Sequence, residues 1–306
     1  MRRTVLRRLL AFPLVLLGVS LLVFFLIRLM PGDPARLMAG PEASQEAVDN
    51  MRIRLGLDLD PVRQYLAFLW HALHGDLGIS IKSKLPVLQE ITARFPNTLA
   101  LALCSYAGAT IVGVTAGIVA SAWKGRWPDQ AVMLLAIAGA SIANFWLALL
   151  AMNLFSVELG WLPLQGAASW KSYIMPAVAL GVAPTALIAR MTRSSMVEVL
   201  SQDYVRTARA KGLDETKVYR KHAFRNALIP IVTIIGLNFG HILGGAVVTE
   251  SLFNWPGIGR MLVDSVAYRD YPMIQALILL AVICVVLVNT LAELVIAALN
   301  PRVRFA

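Results

Sequence analysis

The sequence predicts an all-α, polytopic membrane protein with six transmembrane helices, and three observations carry that expectation. The first is composition: 58% of the 306 residues are hydrophobic, 15% are charged, and mean hydropathy is +0.68, whereas soluble domains are about one-quarter charged. The second is a set of six apolar runs near 9–29, 97–122, 131–155, 174–191, 229–249 and 275–299. Most of them reach the roughly 20 residues that a helix needs to cross hydrocarbon, and none has the short alternating pattern of a transmembrane strand. The third is charge placement. With both termini cytoplasmic, the inside segments hold seventeen of the 28 Lys and Arg but only five of the 18 Asp and Glu. That is the positive-inside pattern, and it reads the net charge of +10 as topology and attraction to anionic lipid. No basic patch interleaved with aromatics points to nucleic acid.

Residues 1–30 read as a basic cytoplasmic start and the first helix. Its apolar stretch exceeds the 7–15 residues of a secretory signal, and it runs into the rigid turn Pro31-Gly-Asp-Pro34 rather than a small-residue cleavage site. Residues 31–95 form an extracytoplasmic insert. Pro61, Gly75-Asp-Leu-Gly78 and Pro86 mark its turns, and about 65 residues bury only a marginal core of their own, so a helical cap is expected. His71 and His74 lie there without a third ligand nearby, and no metal site is expected. Residues 96–300 are the core with five more helices, and 301–306 form a cytoplasmic tail. Cys104 and Cys284 fall inside spans and read as packing residues. In the outer loop 156–173, Trp161, Trp170 and Tyr173 sit where interfacial aromatics belong. Pro176 and Pro184 are expected to interrupt the fourth span. The loop 251–273 carries Phe253-Asn-Trp-Pro-Gly-Ile-Gly259 and Arg269-Asp-Tyr-Pro272, read as turns folded back onto the bundle.

The cytoplasmic loop 192–228 is the most informative segment. A short turn would join two spans, yet this charged, helix-forming block is far longer, and its apolar residues Ala208, Ala210, Leu213 and Val218 suit a docking surface. Glycine ends helices because it enters the left-handed region without steric cost, so one helix is expected through Ser195–Lys211, stopped by Gly212. Asp214 can cap a second helix, with Lys221, His222 and Arg225 in its last turn, as the helix dipole favours. The pair makes an elbow at Gly212.

That block resembles the cytoplasmic loop of binding-protein-dependent ABC importer permeases, whose pattern is Glu-Ala-Ala, three residues, then Gly. Here Arg206-Thr207-Ala208 precedes Gly212 at that spacing; Ala208 and Gly212 match strictly, and arginine replaces the glutamate. His222-Ala-Phe-Arg225 also departs from the usual ending. Both departures resemble the dipeptide, oligopeptide and nickel branch. Pro31-Gly-Asp-Pro34, Gly75-Asp-Leu-Gly-Ile-Ser80, Arg190-Met-Thr-Arg-Ser-Ser195, Trp255-Pro-Gly-Ile-Gly259 and Asn300-Pro-Arg302 resemble it too, so the likeness covers nearly the whole chain. The short outer loop Val157–Pro163 looks closest to glutathione importers.

The resemblance implies a type I ABC importer permease fold in a bacterial inner membrane, carrying small peptides such as glutathione or dipeptides, with oligopeptides or nickel complexes as alternatives. It also implies the partners: a homologous second permease in a heterodimer, two P-loop ATPases that use ATP and Mg, and an extracytoplasmic solute-binding protein. No cofactor is expected on this chain, because no lysine follows a glycine to make a P-loop. The implied ATPase-coupling residues are Arg206, Thr207, Ala208, Arg209, Lys211, Gly212, His222, Arg225 and Asn226. Asn238, His241, Asn289 and Glu293 are candidate cavity-lining residues, because an ionisable group at membrane depth must face a partner or water. Gly236, Gly240 and Gly244 form a small-residue face suited to helix packing. A self-contained ion-coupled carrier or channel is the rival class, but an ion-coupled carrier would show helices interrupted in matching halves, and here Pro176 and Pro184 mark only the fourth span. An embedded enzyme lacks a catalytic cluster, and no HExxH occurs.

Overall fold

The computed structural model describes residues 13–25, 33–40, 42–54 and 57–299. Helices dominate: α1 (Pro13–Phe25), α2 (Pro34–Ala39), α3 (Gln45–Arg54), α4 (Pro61–Leu73), α5 (Val87–Ala122), α6 (Trp127–Ser141) and α7 (Asn144–Ala151). A π-helical stretch (Met152–Glu158) and a 3-10 turn (Trp170–Tyr173) lead to α8 (Ile174–Leu200), α9 (Asp203–Ala210) and α10 (Glu215–Lys217). Another π-helical stretch (Val218–Phe224) then leads to α11 (Arg225–Leu252), α12 (Ile258–Ala267) and α13 (Tyr271–Leu299).

Among the described residues, four helices are long and apolar enough to cross a bilayer, and a fifth span forms if the bent pair around residue 142 is one crossing. The expected first span, 9–29, extends beyond the described residues on both sides; its described part, α1, is apolar but shorter. The third span, expected as one run over 131–155, is instead broken, with its two halves bent by 102°. Ile142 and Ala143 both adopt extended backbone (ψ 129° at each), although neither proline nor glycine occupies 140–145. The fourth span, expected to be interrupted, is continuous. Pro184 lies inside α8, and Pro176 lies at its third residue, where a missing N–H removes no intrahelical bond.

Among the described residues, contacts define two compact units, one over 98–255 with 285–299, the other over the described residues before 98 with 256–284. In the first, Leu101, Ala102 and Tyr106 of α5 pack with Leu180 and Ile188 of α8, Ile242 and Ala246 of α11, and Trp255. Lipid removes most of the hydrophobic drive between helices, so close packing and interhelical hydrogen bonds hold such bundles together. Glycines supply the closeness: a Cβ at Gly117 would stand 2.5 Å from Thr192 Cβ, and one at Gly113 2.9 Å from Ile188 Cβ. Ser105 Oγ donates to the Ala177 carbonyl at 2.9 Å, and the Tyr106 hydroxyl donates to the Ile235 carbonyl.

In the second unit, Asp33 caps α2, accepting from Ala35 N at 3.0 Å, and pairs with Arg52 of α3 at 2.6 Å. Two sequence motifs far apart in the chain meet at Asp270. Its carboxylate, 1% exposed, accepts from Ser80 Oγ and from Lys82 N at 3.2 Å, and from Met273 N in the first turn of α13 at 3.4 Å. Asp270→Ala leaves these buried donors unpaired and is expected to destabilise this unit by about 1–3 kcal/mol. A fall in thermal unfolding temperature of the purified protein in detergent checks this; an unchanged midpoint contradicts it.

Candidate functional site

The loop 192–228 folds as an elbow, with two differences from the sequence expectation. The first helix does not run through Ser195–Lys211: α8 ends at Leu200, Ser201 and Gln202 break it, and α9 restarts at Asp203. The second helix does not end near Arg225. It continues from α10 through Val218–Phe224 into α11, because no terminator precedes Pro230 and because Ala223, Ala227 and Ile231 bury themselves with Met196 of α8. Lys221, His222 and Arg225 therefore lie along one continuous helix rather than at a helix end.

The turn itself follows the glycine logic. Gly212 adopts φ +76°, its N–H donates to the Arg209 carbonyl at 2.9 Å, and Leu213 N–H donates to Ala208 O at 3.3 Å. Asp214 caps α10, accepting from Thr216 N at 3.0 Å. Val205 and Ala208 of α9 close on Val218 and Leu200, so Ala208 faces into the elbow's own small core rather than outward. Arg209 spans the bend with Nε 2.7 Å and Nη2 3.2 Å from the two Glu215 carboxylate oxygens. Chiefly through that hydrogen bond, the Arg209 guanidinium pKa is raised above its ordinary value, with burial opposing. Asn226 Nδ2 donates to the Tyr204 hydroxyl at 2.8 Å and to the His222 carbonyl at 2.9 Å, tying α9 to the root of α11.

Arg206, Thr207, Arg209, Lys211, Arg225 and Asn226 are exposed and His222 half-buried. Both members of the Arg209–Glu215 pair are substantially exposed, and exposed pairs contribute only about 0.2–1 kcal/mol. A double-mutant cycle of Arg209→Ala and Glu215→Ala, read by thermal unfolding, is expected to give a coupling in that range. A coupling above about 2 kcal/mol would instead mark a desolvated pair.

Sequence reasoning missed a second feature of this face. Asp129, in the first turn of α6, accepts from Arg193 Nε at 2.8 Å and Nη2 at 2.7 Å, and from Gly125 N at 2.9 Å. The fork clamps the turn 123–126 to α8. Arg193 belongs to a motif singled out above, but nothing in the order of residues names its partner. Between this turn and the elbow lies a cavity of about 700 Å³ lined by residues including Trp123, Lys124, Arg126, Arg209, Glu215 and Tyr219.

The membrane-depth residues are placed as follows. A Cβ at Gly236 would lie 2.8 Å from Ala292 Cβ and one at Gly240 3.2 Å from Asn289 Oδ1, whereas one at Gly244 meets nothing within 4 Å. Asn238 Nδ2 donates back to the Ile234 carbonyl at 2.9 Å. Asn289 Oδ1 is buried without a hydrogen-bond partner among the described residues. The side chains of His241 and Glu293 lie outside the described set. Cys104 and Cys284 are both free. In the insert, His71 Nδ1 stands 3.4 Å from Asp76.

Residues 113–305 match the family model of binding-protein-dependent transport system inner membrane components, and residues 1–102 match that of the N-terminal part of such membrane components. The glutathione transport system permease protein GsiC of Escherichia coli K12 is 50% identical over 301 residues, 98% of each chain. The protein of that name from Shigella dysenteriae serotype 1 shows the same identity and coverage. Among solved structures, an inward-facing MetNI methionine ABC transporter chain superposes with a TM-score of 0.59 at 19% identity, covering 70% of this chain and 97% of that one. A chain of an amino acid ABC transporter with histidines gives 0.53 at 15%, covering 69% and 94%. At those identities the structural likeness speaks for the fold alone.

Proposed function

We propose, from the premise that this chain belongs to the family of binding-protein-dependent transport system inner membrane components, that its cargo is glutathione or a closely similar small peptide. The chain is the permease subunit of an ABC importer and is not itself catalytic. The observation that carries the substrate reading is 50% identity, sustained over 98% of both chains, to glutathione permeases.

In this reading six spans cross a bacterial inner membrane with both termini inside, and a homologous second permease completes the pathway. Two ATPase subunits use ATP and Mg, and an extracytoplasmic binding protein delivers the peptide. The elbow is the part that the ATPases grip. Its interior is packed and its bend is closed by Arg209–Glu215, so it can pass on a push as a unit. Arg206, Lys211 and Arg225 offer outward charge that holds register. Ala208 keeps the bend tight, and Thr207, Gly212, His222 and Asn226 shape it. Nucleotide-driven closure would bias the spans between outward- and inward-open states, a two-state element of the kind that transmits such signals. Asn238, His241, Asn289 and Glu293 are assigned to the translocation pathway, and Gly236 and Gly240, each set against α13, to helix packing, whereas Gly244 has no neighbour to pack on among the described residues.

The experiment is reconstitution of this chain with its partner subunits in liposomes, followed by uptake of labelled glutathione and of labelled dipeptides. ATP-dependent glutathione uptake that competes with dipeptides only weakly is the expected result. Dipeptide uptake in its place would reassign the cargo, and solute movement by the chain alone without ATP would overturn the importer reading.

A further inference from the structure

The insert holds an amphipathic helix whose apolar side no described residue covers. On α4, Val62, Leu66, Trp70 and Leu73 are 64%, 58%, 65% and 82% exposed, and their spacing of three and four places them in one stripe. The neighbouring face meets α1. Tyr65 and Phe68 pack on Phe24 with ring centroids 5.3 and 6.3 Å apart, and the Tyr65 hydroxyl bonds to Ser20 Oγ at 2.7 Å and to the Leu17 carbonyl at 3.1 Å. Gln64 and His71 occupy the side opposite the stripe, Arg63 lies at its edge, and Asp60 caps the helix from Arg63 N at 3.3 Å.

We propose that α4 is a membrane-embedded interfacial helix, packed against α1 with Val62, Leu66, Trp70 and Leu73 in the acyl–headgroup boundary of the leaflet from which the insert emerges. The helix that carries the stripe is seated, through Tyr65 and Phe68, on α1. Leu17, Leu21 and Phe25 of α1, exposed apolar residues of a membrane helix, flank the Ser20 and Phe24 contacts. A helix seated against a hydrocarbon-facing segment shares its solvent. Trp70 sits next to the polar end of α4, its ring 4.4 Å from that of His74, whose Nδ1 lies 2.8 Å from the Trp70 carbonyl. An amphipathic ring at such a boundary is where tryptophan is enriched. Thirteen residues make a rod of about 20 Å, enough to lie flat at the boundary with its apolar side sunk about 5–10 Å. The helix carries one arginine and no lysine, so apolar burial rather than attraction to anionic headgroups would hold it. This inference rests on the chain being a membrane protein and not on its cargo.

The test uses the assembled transporter in nanodiscs of phosphatidylethanolamine and phosphatidylglycerol, with Cys104→Ala and Cys284→Ala as background. Spin labels are placed singly through Val62→Cys, Gln64→Cys, Leu66→Cys, Trp70→Cys, His71→Cys and Leu73→Cys, and their collisions with oxygen and with a neutral nickel chelate are compared. At 62, 66, 70 and 73 oxygen should dominate several-fold over nickel, at 64 and 71 nickel should dominate, and the pattern should survive high salt. Nickel access at all six positions would place α4 in water and overturn the proposal. Exclusion of both reagents at 66 and 70 would also overturn it, by showing that a protein partner covers the stripe.

Discussion

Gly212→Pro is expected to abolish coupled uptake while the chain remains in the membrane. Gly212 stands at φ +76°, whereas proline is locked near −65°, and the N–H that proline lacks is the one that bonds to the Arg209 carbonyl. Crowding is not the cause, since a Cβ there meets nothing within 4 Å. The whole effect comes from the backbone, at about 3 kcal/mol or more, roughly a hundredfold in the population of the formed bend. α9 has eight residues and cannot persist unsupported, since isolated helices of that length are marginal in water. Losing the bend therefore unseats Val205 and Ala208 from Val218. Gly212→Ala, which can enter the left-handed region at a cost of about 1–2 kcal/mol, should fall between. The measurement is ATP-driven uptake and ATP hydrolysis by reconstituted transporter, with membrane content checked by immunoblot. Proline at 212 with uptake coupled at the wild-type ratio would sink the assignment of this elbow to coupling.

Asp129→Ala is the second large effect. The Asp129 side chain is 5% exposed and that of Arg193 29% exposed, and three donors converge on the carboxylate. Removing it strands a partly buried guanidinium and the Gly125 N–H, at about 3 kcal/mol. The expected result is a lower unfolding temperature and loosening of the turn 123–126. Arg193→Met on top of Asp129→Ala should recover part of the loss, because the stranded charge is then gone. A double variant whose loss equals the sum of the singles would mean that the two residues act independently, contrary to the fork.

The elbow was legible in the sequence because its determinants are local: a glycine where the chain must turn left-handed, an Asp two residues later to cap, and a charged block where spans need none. Its internal structure was less so. Ala208 and Val218 read as outward docking residues because a hydrophobic residue in a polar block looks exposed until the two arms of the bend are brought together. The break at Leu200–Gln202 had no glycine or proline to mark it. Asp129 and Arg193 are 64 residues apart, and pairing at that distance is a property of the bundle rather than of any stretch of chain.

The sequence by itself determined the solvent, the helical class and the place where the chain bends on its polar side. Those follow from composition, apolar run length and the conformational freedom of single residues, which act within a few positions of themselves. Only the tertiary structure decided that the third span breaks at Ile142 while the fourth runs intact past Pro184. It alone set Gly113 and Gly117 against α8 and joined Ser80 to Asp270. In each case the deciding energy is packing or hydrogen bonding between segments, which can override a local preference worth a kcal/mol or so and leaves no mark on neighbouring residues.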